Sequence, residues 1–398
     1  MFTDAFVGLA CTECDATIDA ADSPDDLVAA GRCADCSAPQ APAYDLDAVD
    51  TASLRDATTA WEYDAVLPFD RETALSAGEG GTPLVAAPRL ADELGLGGVE
   101  LKDEGRNPTG TVLDRGLSVA VTAAAESDTE LLACASPGNA GQSMAAYAGR
   151  VDLRSYSFVP TRSPFSNKAL INVHGGDMKV VPGRLGDAEA ALAEQLKSDY
   201  RSMDAFTSPF RHDGLKTVAY EVLSGRNWET PDAVVVPATT GELVVGLVTG
   251  LRECAELGLV ESLPPVYAVQ PTGCAPIATA WQAAGAEGTV ERWETPDTIV
   301  GECEVPMPAG GDLALDALAE AGGGAITVDD DAALESAVSV AASETVEVGL
   351  AGGVAAAGLW QLAEDGVVAG DDEVVVVNTE SATKTPDVLR SHLMGKGI

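Results

Sequence analysis

A run of four valines, Val374 to Val377, lies near the end of this 398-residue chain with no polar residue to interrupt it. A strand with one wet face would alternate apolar and polar residues. An unbroken run fits a strand buried on both faces, which is how the strands of a parallel sheet read. Val234-Val235-Val236 and Val266 to Val269 are further short runs, and the first leads into a helical stretch over Gly246–Leu257. Ala188 to Leu196 and Asp331 to Ala342 have the spacing of amphipathic helices. Beyond about residue 75, β and α segments alternate. That alternation predicts an α/β fold with open, mostly parallel sheets. Ligands in such folds sit outside the carboxyl ends of the strands, so the loops there carry the chemistry.

Charge excludes some partners. There are 63 Asp and Glu against 23 Lys and Arg, a formal net charge of -40. A nucleic-acid binder needs a basic footprint, and an anionic membrane surface attracts basic segments, so neither partner is expected. The acids are scattered rather than gathered in a tail, and 46% of the residues are hydrophobic, which favours a folded chain. Only seven of the bases are lysines. We read this surface as adapted to a salt-filled cytoplasm, where screening shortens the Debye length to about 3 Å at molar salt. The start, Met1-Phe2-Thr3-Asp4, has no basic region followed by an apolar stretch, and the Gly/Ala-rich uncharged stretch 348–363 is too short to span a bilayer. A cytoplasmic protein is expected.

Four of the eight cysteines form Cys11-x-x-Cys14 and Cys33-x-x-Cys36. Two such knuckles offer the four thiolates of a tetrahedral, structural zinc site, in the manner of a zinc ribbon. Disulfides are the alternative, and a reducing cytoplasm weighs against them. Cys134, Cys254, Cys274 and Cys303 have no ligand spacing and are expected to be buried. Residues 1–50 carry eleven acids and one base, Arg32, so this ribbon is not built to grip nucleic acid.

The loops are rich in Gly and Asn. Gly78-Glu79-Gly80-Gly81-Thr82-Pro83-Leu84 is followed by Lys102-Asp103-Glu104-Gly105-Arg106-Asn107-Pro108-Thr109-Gly110. Then come Asp114-Arg115-Gly116 and Ser136-Pro137-Gly138-Asn139. Later segments are Pro209-Phe210-Arg211, Asp213-Gly214-Leu215-Lys216-Thr217 and Gln270 to Ile277. Each is a weak signal alone. In this order they resemble the threonine synthases, members of the fold type II pyridoxal-phosphate enzymes, over nearly the whole chain. The resemblance implies a tryptophan synthase beta-like fold with two α/β domains and an N-terminal zinc-ribbon-like segment. It sets the ribbon at 1–45, a large domain at 46–115 and 205–398, and a small domain at 116–204.

The chain departs from the family pattern at the places where the chemistry would sit. After N-P-T-G the family reads S-F-K-D-R-G, and its Lys carries the cofactor as a Schiff base. Here the segment is Thr111-Val112-Leu113-Asp114-Arg115-Gly116, so Leu113 stands at the lysine position. Leucine has no amine with which to form an aldimine. The family's phosphate cup, P-x-G-N-G-G-N-L-x-G, corresponds to Pro237-Ala238-Thr239-Thr240-Gly241-Glu242-Leu243-Val244-Val245-Gly246. Glu242 replaces a glycine, and its carboxylate opposes a phosphate. Gly349 and Gly352 replace the Glu and Ser of the family's E-P-x-S. In the family's L-T-G-H-G, Thr379 is kept, but Glu380-Ser381-Ala382 replaces G-H-G.

The resemblance therefore implies no catalytic lysine. It leaves Ser136, Gly138, Asn139, Thr239, Thr240, Gly241 and Thr379 as cofactor-site positions turned to another ligand, and it argues against covalently held pyridoxal phosphate. The expected role is a small-metabolite-binding or regulatory homologue of threonine synthase. Its ligand would be a small anionic metabolite or an amino acid. It would form a homodimer or a hetero-oligomer with an active paralogue. One alternative is a lysine-free enzyme acting on an amino acid or phosphate ester. Another is an active enzyme with displaced or non-covalent cofactor, for which Lys168 and Lys384 are the candidate lysines. The three histidines, His174, His212 and His392, form no metal pattern and read as surface or loop residues. Residues 150–226 hold eleven Lys or Arg against nine acids. They read either as an anion site or as internal salt bridges.

The charge reading makes a direct prediction. Dialysis from molar to millimolar salt unfolds the chain, measured by loss of near-ultraviolet circular dichroism. Retention of the native signal in low salt would show an ordinary acidic surface.

Overall fold

The computed structural model describes residues 2–21, 23–195 and 200–395. The chain divides into two units. One is Met1–Gly81, Leu113–Ser224 and Arg252–Leu259, and the other is Thr82–Val112, Gly225–Leu251 and Val260–Ile398. These bounds differ from those expected of the sequence. Residues 1–81 and 205–224 group with the segment expected to form the small domain.

In the second unit, the valine run lies in the strand Glu373–Asn378 of a six-stranded sheet. The order is Gly324–Val328, Val266–Pro271, Ala233–Pro237, Glu373–Asn378, Gly98–Asp103, Leu84–Ala86. The first five are parallel and the last is antiparallel. Val375 pairs with Val234 on one side and Glu100 on the other. Both faces of the run are covered, as its unbroken apolarity requires, and Val374 to Val377 are all buried. One face packs against the Ala/Gly-rich helix Leu350–Glu364 through Val354, Ala355 and Leu359. The helices expected at 246–257 and 331–342 are present as Glu242–Glu256 and Asp330–Glu344.

The first unit holds a four-stranded parallel sheet in the order Asp177–Val181, Arg154–Pro160, Leu131–Ala135, Tyr200–Ser202. The helix expected at 188–196 is present as Leu185–Gln195, and Leu196 lies outside the described residues. A three-stranded antiparallel sheet, Thr17–Asp19, Phe6–Cys11 and Gln40–Tyr44, carries the cysteine knuckles. It is anchored to the same unit by rings. Phe6 meets Phe2, Tyr44 and Phe210 at centroid distances of 5.0 to 6.4 Å. The Tyr44 hydroxyl donates to Asp213 at 2.6 Å, and the Lys216 ammonium lies 3.8 Å from its ring.

Helix Leu113–Ala125 runs through this unit with Arg115 wholly buried. Arg115 donates to both carboxyl oxygens of Glu221, at 2.7 Å each, and to Thr217 at 3.0 Å. The Gly81 amide donates to the same carboxylate at 2.9 Å. A Cβ at Gly80 would fall 2.5 Å from it, so this approach requires glycine. Beside it, Glu79 accepts from Trp61 at 2.7 Å and Tyr147 at 2.9 Å. The Gly78–Gly81 motif is thus the packing partner of buried charge. Removing one member of such a pair strands the other. Arg115→Leu is expected to destabilise the chain by about 3–5 kcal/mol, measured by denaturant unfolding at high salt.

Candidate functional site

The knuckle sulfurs come together in the first unit. The ligand atoms of Cys11, Cys14, Cys33 and Cys36 all lie within 4.8 Å of one another. Sulfur pairs stand at 3.4 Å (Cys11–Cys36), 3.6 Å (Cys14–Cys36) and 3.8 Å (Cys14–Cys33). A tetrahedron with zinc–sulfur bonds of about 2.3 Å has edges of about 3.8 Å. The Glu13 amide points at the Cys11 sulfur from 3.4 Å, which stabilises thiolate charge within the first knuckle. The second knuckle turns at Ser37, whose φ is 64°. The four thiolates fit a tetrahedral zinc and can hold one. Cys134, Cys254, Cys274 and Cys303 are buried, as expected.

Also in the first unit, Leu113 is the first residue of its helix and is half-buried, with its side chain packed beside the core. Ser136, Gly138 and Asn139 form one turn between strand Leu131–Ala135 and helix Asn139–Ala148. The Ser136 hydroxyl accepts from the Gly138 amide at 2.9 Å and from Gly141 at 3.3 Å. It is therefore committed to holding the turn. Asn167 packs against Gly138, is fully buried, and among the described residues has no hydrogen-bond partner on either amide atom. Sequence reasoning missed Asn167, because nothing in Ser166-Asn167-Lys168 marks it as buried.

The basic stretch turns largely to internal use. Arg201 donates to the Ala30 carbonyl at 2.8 Å, and burial lowers its pKa to about 10. Arg211 donates to the Met203 carbonyl. Lys216 bridges Asp213 at 3.0 Å and Glu253 at 2.9 Å. Lys168 donates to Thr161 at 2.9 Å, and Lys179 lies 5.8 Å from the Phe158 ring centre. His212 is a correction to the expected surface placement. It is buried in the helix Pro209–Gly214, stacked 4.9 Å from Phe206, and desolvation lowers its pKa to about 4. It is neutral at physiological pH. His174 and His392 are partly exposed.

In the second unit, three loops leave adjacent parallel strands at their carboxyl ends. Thr239-Thr240-Gly241 follows Ala233–Pro237, Thr379 follows Glu373–Asn378, and the Glu104–Gly110 loop follows Gly98–Asp103. Thr240 and Gly310 pair through a 2.9 Å backbone bond. Glu242 opens the next helix and is buried, and its carboxyl accepts from the Thr240 hydroxyl at 3.3 Å. A carboxylate at a helix N-terminus already answers the dipole there. The Glu104 loop is held by buried charge. Glu104 accepts from Thr82 at 2.6 Å and Asn107 at 2.7 Å, and Lys102 stands 3.9 Å away. The Thr379 carbonyl accepts from Val112 at 2.9 Å.

Glu380 and Lys384, both buried, follow Thr379. Glu302, in a short turn at Gly301–Cys303, is near enough to both to feel their charges. Burial, reinforced by Glu380 and opposed by its own amide and by Lys384, pushes the Glu302 carboxyl up to about 8. Among the described residues, no other residue donates to either Glu302 oxygen. Sequence reasoning missed Glu302, which lies in an irregular segment with no motif around it.

A family model described as pyridoxal-phosphate dependent enzyme matches residues 75–380. The chain is 32% identical to a threonine synthase of Methanocaldococcus jannaschii over 329 residues, covering 82% of this chain and 81% of that protein. A threonine synthase of Methanosarcina acetivorans is 30% identical over 385 residues, 96% of this chain and 93% of that protein. Among solved structures, an L-serine ammonia-lyase from Rhizomucor miehei superposes with a TM-score of 0.68 at 21% identity, over 79% of this chain and 97% of that one. The chain belongs to the pyridoxal-phosphate-dependent enzyme family, with the fold the sequence predicts. Within that family it is threonine synthase-like. The family implies pyridoxal phosphate. Among the described residues, no helix is long and apolar enough to cross a membrane.

The metal centre is directly testable. Purified chain is expected to carry about one zinc per molecule by elemental analysis. The Cys14→Ser, Cys33→Ser double variant loses it, and chelation lowers the melting temperature of the native chain. A metal-free chain with two disulfides by intact mass would overturn the assignment.

Proposed function

We propose that this chain is a catalytically altered threonine synthase homologue that binds a small anionic metabolite or an amino acid, without covalent pyridoxal-phosphate chemistry. It acts in the cytoplasm as a binding or regulatory protein, as a homodimer or with an active paralogue. The observation that carries this reading is Leu113. The side chain that opens the helix before Asp114-Arg115-Gly116 is an alkyl group packed beside the core, with no amine to condense with an aldehyde. Glu242 supports it from the second unit, because a buried carboxylate at the head of a helix repels a phosphate placed there. These residues do not fit a phosphate-bearing aldehyde held as a Schiff base, and we derive no step through one. Of the substitute lysines, Lys168 is tied to the Thr161 carbonyl. Lys384 lies beside carboxyls, which are partners for an ammonium rather than for an aldehyde.

A second reading has one observation in its favour. The buried pair Glu302 and Glu380 could move a proton in a lysine-free reaction on an amino acid or phosphate ester.

Incubation with pyridoxal phosphate followed by borohydride is expected to leave the intact mass unchanged. A stable adduct on any lysine would sink the proposal. Turnover of an amino acid without an adduct would favour the second reading. Leu113→Lys alone is expected to recover no threonine synthesis, because Glu242 remains. Adding Glu242→Gly is expected to tighten pyridoxal phosphate binding by about tenfold or more, measured by absorbance titration.

A further inference from the structure

Two of the departures from the family pattern turn out to be one. The resemblance places a Glu at position 349 and a Gly at 380, and this chain has Gly349 and Glu380. In the second unit the two positions face each other. The Gly349 amide donates to the Glu380 carbonyl at 3.0 Å, and Val348 bridges Ser381. A Cβ at Gly349 would fall 2.4 Å from the Glu380 Cγ and 2.7 Å from its Oε1. The Glu380 side chain fills the space that a residue at 349 would need. The Glu380 carboxyl group lies in front of position 349, where the resemblance places an acid. Gly352 is crowded in the same way, since a Cβ there would fall 2.2 Å from the Asn378 Oδ1.

Glu302 adds a second carboxyl to the same neighbourhood. It is 7% exposed, and among the described residues no other residue donates to either of its oxygens, its own amide being the one donor that acts on it. Burying carboxyl oxygens without donors is costly, so the arrangement calls for a donor from outside the chain. Lys384 contributes one positive charge. Among the charges that act on Glu302, the acid Glu380 joins it against the single ammonium of Lys384, and a buried excess of negative charge favours a positively charged partner. That partner carries one positive charge. A divalent metal would overshoot and would want more oxygen ligands than two side chains provide. Among the described residues, the only grouping suited to a metal ion is the four cysteines.

We infer that Glu302 and Glu380 form a recognition site for the ammonium group of a small organic ligand. This rests on the reading that the chain binds a small metabolite, and it names the part of that metabolite the second unit selects. An ammonium offers three N–H donors to the Glu302 oxygens and their neighbour Glu380. Charge balance then fixes the proton's path. In the free protein Glu302 holds a proton at pH 7, because burial and Glu380 raise it to about 8 against its own amide and Lys384. The arriving ammonium replaces that proton, which passes to solvent, and no bond other than the O–H breaks.

The test is titration calorimetry of the whole chain at pH 7 in molar sodium chloride. The probes are L-serine and L-threonine, with 3-hydroxypropionate and 3-hydroxybutyrate as their counterparts lacking the amine. At least one amino acid is expected to bind about tenfold or more tightly than its counterpart. Repeating the titration in two buffers of different ionisation enthalpy is expected to show release of about one proton per ligand. Glu302→Gln is expected to lower affinity by about tenfold and abolish the release, with zinc content and melting temperature kept. Should that variant not fold, proton release by the native chain decides the matter. The inference is overturned if no amino acid binds, if the amine-free counterparts bind equally, or if binding releases no proton. It is also overturned if potassium or magnesium chloride alone reproduces the effect. Each of these outcomes leaves the borohydride result standing, so failure here is distinct from failure of the proposed function.

Discussion

Desolvated charge is the constraint on which the first unit depends. Arg115 and Glu221 are both out of water, and neither tolerates burial alone. The remaining acceptor capacity of the carboxylate is met by the Gly81 amide, which reaches it because Gly80 carries no side chain. Glu79, in the same loop, is buried and satisfied by Trp61 and Tyr147. Lys216 repeats the pattern between Asp213 and Glu253, with Tyr44 from the ribbon's exit strand closing the network. Each charged residue fixes several small ones around it. A motif such as Gly78 to Gly81 therefore persists whatever the chain does chemically.

The same logic separates what this chain keeps from what it has changed. The kept motifs hold backbone in place, as Glu104 does for the loop that ends at Val112. The changed positions lie at loop tips and helix starts, where few neighbours depend on the side chain. Against the pattern that the resemblance implies, Leu113 puts an alkyl group for an amine at the edge of a core, and Glu242 a carboxylate for a hydrogen at a helix head. Neither change disturbs a buried pair. Substitution at such places is cheap in stability and large in chemistry. A fold at about 30% identity to threonine synthases can therefore differ from them in what it binds.

Much of the fold was legible because periodicity reports burial directly. Val374 to Val377 could only be a strand covered on both faces, and the cysteine spacing could only bring four sulfurs together if both knuckles formed. The unit boundaries were less legible. Residues 1–81 carry no apolar pattern that says which sheet they join, and the rings that decide it, Phe6, Phe69 and Phe210, are far apart in sequence. His212 was misplaced for the same reason. A lone histidine near charged neighbours reads as exposed, and only the packing of Phe206 beneath it shows otherwise. Asn167 and Glu302 left no trace, since a single polar letter in an irregular segment does not say which way it faces.

The exchange at Gly349 and Glu380 shows where reading position by position runs out. Taken singly, each is a loss: a helix-leading acid becomes glycine, and a glycine in a loop becomes an acid. Only contact in space shows that the second fills the space the first leaves open. The acid excess of the whole chain hides this further, because one more Glu among 63 acidic residues draws no notice. Most of those acids face water and are counted by the solvent. The few that are buried answer to their neighbours, and nearly all have donors to match. Glu302 has carboxyl oxygens with no donor from any other described residue, and it lies near the Glu380 carboxyl. A pair arranged that way is stable only as long as a proton or another cation supplies the missing charge.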